Sequence, residues 1–195
     1  MVAPPYTLRH VEDGVTQERH RLTLDAMLNI EETYEWSSGS ESSILNFYGF
    51  WLATKDGPIH PGNVPTTHAK TDKGLASWID VSHGDPWKFV LRNHRGLTFR
   101  NCSEKPIGSV PLESHARFCA YEYYECREEA GPVAYYIKQD INGDVREYYR
   151  LACPGVERES GRPAVFYEIR AVTLQSIKPY NPERSAPRID PYSCT

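Results

Sequence analysis

No apolar run in this chain approaches the roughly 18 to 20 residues that span a bilayer, and no basic amphipathic helix stands out that would lie on a membrane surface. Positive charge is not in excess either: 22 Lys and Arg face 26 Asp and Glu, a formal net charge of -4. A chain of that sign has no sequence-wide field to hold a phosphate backbone, so neither membrane nor nucleic acid is an expected partner. The G-x-S-x-G elbow, the Walker loop and G-x-G-x-x-G are all missing, which removes the commonest serine hydrolase, nucleoside triphosphate and dinucleotide readings. None of the seven histidines sits in H-E-x-x-H and none of the five cysteines forms paired C-x-x-C. No metal and no cofactor is expected from such a pattern.

What is present is a chain that should fold. Its 195 residues are 39% hydrophobic and include 13 Tyr, 4 Trp and 6 Phe, a load inconsistent with disorder. That length suits one domain. Residues 1–20 read as a polar N-terminal arm, 21–177 as a single β domain, and 178–195 as a Pro-rich tail in which Pro179, Pro182, Pro187 and Pro191 block regular structure.

Within the domain, Leu22, Leu24, Ala26, Leu28 and Ile30 alternate with more polar residues, the period of a strand with one buried face, although a helix over Leu24 to Tyr34 competes because these residues are good helix formers. Ser43 to Thr54, with Ile44, Phe47, Tyr48, Phe50 and Trp51, reads as a strand closing on Asp56-Gly57. Shorter strands follow at Ala76 to Val81, Lys88 to Leu91 and Leu97 to Asn101. The clearest signal is Ala134 to Leu151, where two β-prone runs flank Asn142-Gly143, a type I′ turn pair. A last strand over Ala164 to Ile177 puts Val165, Tyr167, Ile169 and Ala171 on one face. The fold expected is mainly β, an antiparallel barrel or sandwich with little helix.

Candidate chemistry is sparse. His83-Gly84-Asp85 and Glu113-Ser114-His115 bring a carboxylate near an imidazole, as acid–base catalysis requires, but neighbours in a strand point to opposite faces. Phe50, Trp51 and Tyr135 are candidates to line a cavity for a small apolar ligand. Tyr121, Tyr123 and Tyr124, interleaved with glutamates, could recognise a partner, or belong to a strand edge whose carboxylates prevent sheet-to-sheet association. Asn101-Cys102-Ser103 is a permitted glycosylation sequon at Asn101, and Met1 precedes Val2-Ala3-Pro4-Pro5, the form of a mature terminus with an added start codon. With cysteines in no zinc spacing, these cues point to a disulfide-bonded, secreted protein.

From Phe47 onward, the run Phe47-Tyr48-Gly49-Phe50-Trp51-Leu52-Ala53-Thr54-Lys55-Asp56-Gly57, the pair Cys102 and Cys119, and Ala171-Val172-Thr173-Leu174 resemble the fungal secreted β-barrel family typified by the major Alternaria allergen. The departures are Cys153, with no cysteine partner in Pro154 to Tyr167, and the first 40 residues and the tail, which have no counterpart. The resemblance implies a Cys102 to Cys119 disulfide and an elicitor or effector role. Cys126 to Cys153 is the second expected pair, although four cysteines allow three pairings, and Cys194 would be free or join two chains. The expected function is a secreted effector that binds a host protein or glycan without catalysis. The alternatives are a small-molecule-binding barrel, or an enzyme of secondary metabolism or polysaccharide cleavage whose carboxylates and histidines meet only in the fold.

Overall fold

The computed structural model describes residues 6–12, 15–33, 43–66, 74–94, 102–141 and 143–172. The strands are β1 (Thr7–Glu12), β2 (Val15–Leu22), β3 (Pro58–Ile59), β4 (Trp78–Asp80), β5 (Val90–Arg92), β6 (Lys105–Pro106), β7 (Val133–Ile141), β8 (Asp144–Glu157) and β9 (Pro163–Ala171). The helices are α1 (Leu24–Thr33), α2 (Ser43–Thr54) and α3 (Glu113–Glu129). The strands form one sheet in the order β1-β2-β7-β8-β9-β4-β5-β6, antiparallel throughout except for β3, which pairs parallel with β8. β1 and β6 stand at the two ends of the order and, among the described residues, do not pair with each other, so the sheet is open rather than closed into a barrel.

Alternation along the long strands gives the sheet two buried faces. On one, Tyr135, Ala152, Val165 and Tyr167 pack with Ala116, Ala120, Tyr123 and Cys126 of α3. On the other, Ala134, Leu151 and Phe166 pack with Met27 of α1 and with Ile44, Phe47 and Trp51 of α2. The β7–β8 hairpin turns at Gly143, whose φ of 86° is the left-handed conformation that a two-residue turn needs, in the register Ile141 opposite Asp144.

Several expectations are corrected here. Residues placed in a polar arm form β1 and β2, and alternate β2 residues from Val15 to Arg21 are buried. The stretch from Leu24 is α1, because Met27 and Glu31 fall one turn apart on the buried side and Thr23 Oγ1 accepts the Ala26 N–H at 3.1 Å, capping the first turn. Ser43 to Thr54 is α2, not a strand: Ile44, Phe47 and Trp51 recur at helical spacing on its buried side. The Trp51 indole N–H donates to the Pro154 carbonyl at 2.7 Å, fixing α2 against β8. Tyr121 to Glu129 is the last half of α3 rather than a strand edge, and the helix stops at Ala130, held at φ 49°. Three helices on an open sheet replace the barrel or sandwich with little helix.

The disulfides are corrected too. No disulfide joins Cys102, Cys119, Cys126 and Cys153, all of which are buried. The Cys126 thiol donates to the Gly131 carbonyl at 3.6 Å, and Cys119 points to His115 and Arg150. Asn101, Cys194, Leu97 to Arg100 and the Pro-rich tail lie outside the described residues.

Candidate functional site

Between α3 and the sheet the packing is not wholly apolar. Arg19 on β2 and Arg150 on β8 point to the α3 face, and Glu122 meets them from the helix. Arg19 Nε donates to Glu122 Oε1 at 2.7 Å and Arg150 Nη1 to Glu122 Oε2 at 2.5 Å. Exposures of 0% for Arg19, 1% for Glu122 and 4% for Arg150 place all three inside the protein. Isolated charges are costly there and persist only when paired and hydrogen-bonded.

Helical spacing on α3 extends the group. His115, Cys119 and Glu122 share one side of the helix, and the Cys119 Sγ lies 3.3 Å from His115 Nε2. Gln17 Nε2 donates to Ser114 Oγ at 2.8 Å, while its Oε1 accepts from Arg19 Nη2 at 3.3 Å. Three phenol rings surround the Arg150 guanidinium, at 5.7 Å for Tyr123 and Tyr148 and 5.8 Å for Tyr167, an arrangement in which ring quadrupoles favour the cation. Arg150 Nη2 also donates to the Tyr148 hydroxyl at 3.3 Å, and the Tyr167 hydroxyl sits 3.4 Å from His94 Nδ1. His94, half-buried after β5, is the most exposed member of the group.

The ionisation states follow from burial. Burial works against charge on Arg150, but the Tyr123, Glu122 and Tyr148 oxygens more than offset it and hold its pKa well above the ordinary value. Burial, reinforced by the charges of Arg19, Arg150 and Arg146, keeps His115 well below 6.5 and therefore neutral. His94 is lowered to about 4 by burial and by Arg150. Burial raises the Cys119 thiol and raises Tyr167 to about 12. At neutral pH two guanidinium ions share one carboxylate among neutral imidazoles, phenols and a thiol.

Of the acid–base candidates read from the sequence, only His115 belongs to this group. His83 and Asp85 lie in an exposed loop, where His83 Nδ1 accepts the Asp85 N–H and Asp85 caps a short turn at Trp87. Glu113 is exposed and paired with Arg117 at 2.6 Å. Trp51 and the partly buried Phe50 pack under α2, whereas Tyr135 is on the opposite face of the sheet, so these three line no common cavity. Among the partner candidates, Tyr121 is 44% exposed, Tyr123 is interior and Tyr124 lies half-buried beneath Arg127. The sequence reading did not single out Arg19, Glu122, Arg150, Tyr148 or His94. Its one available signal was the period-two spacing of Gln17, Arg19 and Arg21, large polar residues on a single strand face.

Elsewhere, a polar concavity of about 360 Å³ opens on the surface between Trp78, Arg92, Glu104, Glu157 and Arg162. Its charges satisfy one another: Asp80 accepts from Arg92 Nη2 at 3.1 Å and Arg162 Nη1 at 2.6 Å, and Arg92 Nη1 donates to Glu104 at 2.6 Å. Among the described residues no group of three His, Cys, Asp or Glu could hold a metal ion, and no helix is long and apolar enough to cross a membrane. Comparison with family models, with curated proteins and with solved structures returns no match.

Proposed function

We propose that this chain binds a small molecule between α3 and the sheet, at the group formed by Arg19, Glu122, Arg150 and the three tyrosines. The observation that carries the reading is the pairing of Arg19 and Arg150 on one buried carboxylate. Apolar side chains of similar size would hold a helix on a sheet at least as well, so a packing role alone does not account for the charges. Polar groups converging inside an otherwise apolar layer are the usual anatomy of a ligand site. The test is a fragment screen read by amide and arginine-side-chain NMR. Binding should move the signals of Glu122, Tyr148, Arg150 and Tyr167. Perturbations confined to Trp78 and Arg162, or none at all, would defeat the proposal.

A second reading, acid–base catalysis at the same place, draws support from His94, an imidazole neutral at physiological pH and 3.4 Å from a phenol. Turnover of a bound fragment that is lost in H94Q, with binding retained, would establish it. The proposal of a secreted effector acting on a host protein or glycan keeps its sequence support, the Asn101 sequon and the Pro-rich start, but not the disulfides that argued for an oxidising compartment.

A further inference from the structure

We infer that the molecule taken up at this site is a small organic anion, a carboxylate on a planar body, whose charge is received by Arg150. The inference rests on the binding reading above and adds the ligand's chemical class. Three observations lead to it.

The first is charge. Between α3 and the sheet, four guanidinium groups, Arg19, Arg21, Arg146 and Arg150, stand against three carboxylates, Glu122, Glu125 and Glu129, and the neighbouring His115, His94 and Cys119 are neutral. One monovalent anion balances the group, whereas a cation would add to the imbalance in a region of low dielectric. The second is hydrogen bonding. Arg150 Nε is buried and has no partner, although Nη1 and Nη2 of the same guanidinium are both engaged. The Tyr148 hydroxyl accepts from Nη2, which leaves its own O–H proton to donate. An unengaged guanidinium N–H and the O–H of a phenol bonded to the same guanidinium suit the two oxygens of a carboxylate. The third is the surrounding surface. Tyr123, Tyr148 and Tyr167 supply aromatic area around that donor pair, and Ala152, Val165 and Ile137 on the same face are apolar. Such walls favour a flat organic body over a hydrated inorganic ion.

The experiment is calorimetric titration of the full chain at pH 7 and low salt with benzoate, its neutral isostere benzamide, benzylamine and inorganic phosphate. Benzoate should bind at least about tenfold more tightly than benzamide, the difference expected of one charge-assisted hydrogen-bond pair in a buried site, and benzylamine should not bind. R150Q should bring benzoate to the benzamide level. E122Q, which removes the competing negative charge, should tighten benzoate several-fold relative to benzamide, so the two variants test the charge argument in opposite directions. Equal affinity for benzoate and benzamide, or no tightening in folded E122Q, would overturn the anion inference while leaving an interior binding site. Phosphate binding as tight as benzoate would overturn the organic part. No heat from any of the four, with no shift at Arg150, would remove the inference and the binding reading together.

Discussion

Arg19 and Arg150, on strands separated by β7, grip opposite oxygens of the same carboxylate, at 2.7 Å and 2.5 Å from Glu122. The consequence is a helix fastened to a sheet by charge as well as by apolar contact, since Glu122 is the point where α3 touches both β2 and β8.

Removing that carboxylate leaves two buried guanidinium groups facing each other. E122Q is expected to lose about 3 to 5 kcal/mol, the usual cost of breaking a buried ion pair from one side. Urea unfolding of the two proteins under identical conditions measures it. A loss below about 1 kcal/mol would mean that water reaches the guanidinium groups.

Acid should weaken the protein through its buried histidines. His94 titrates at about 4 in the fold against an ordinary 6.5, and burial pushes His115 in the same direction. The unfolded chain therefore takes up protons first, so stability falls as pH drops from about 6.5 toward 4. H94Q should flatten part of that slope, leaving the share due to His115, in thermal melts at half-unit pH steps.

Asp80 governs the next window. Burial opposes its ionisation, but hydrogen bonds from Ser82, Arg162 and Arg92 outweigh that and lower its pKa from 3.8 to about 2. Its stabilisation is complete above 3.8 and is lost as pH falls through 2. D80N should cost about 2 kcal/mol at neutral pH and remove this acid dependence, as expected for a depressed carboxylate of that size. An unchanged melting profile between pH 4 and 2 would show that the Arg92 and Arg162 contacts are not maintained in solution.

The thiols give a chemical test of the fold. Cys102, Cys119, Cys126 and Cys153 are buried, and burial raises the pKa of each, so the thiolate is scarce as well as shielded. Native protein should leave all four unlabelled by iodoacetamide within an hour, and denatured, unreduced protein should label all four. Peptide mapping that finds Cys102 joined to Cys119 would restore the disulfide expected from the sequence.

Trp51 carries the docking of α2. W51A removes the hydrogen bond to Pro154 and an indole from the core cluster that also holds Ile59 and Phe166, and should cost about 3 to 5 kcal/mol as other large-to-small core changes do. W51F, which keeps most of the volume, should cost less than half of that. Equal losses would assign the effect to the hydrogen bond rather than to packing.

The parts of the fold whose physics is local can be read from the residues alone. Gly143 supplies the positive φ of the β7–β8 turn, and Val165, Tyr167 and Ile169 follow the two-residue period of a strand, so both were legible. Short apolar runs were not, because Ile44, Phe47 and Trp51 make a helical stripe only once something covers that side, and the same segment is aromatic enough to pass for a strand. Likewise, β2 read as an arm because Gln17, Arg19 and Arg21 are polar, and polar residues are ordinarily exposed. The tertiary structure alone decided their burial, by bringing Glu122 from 103 positions away to meet Arg19, and Arg150 from 28 on the other side. An ion pair is strong at contact distance and inside a low dielectric, and neither condition is written in the spacing of residues along the chain.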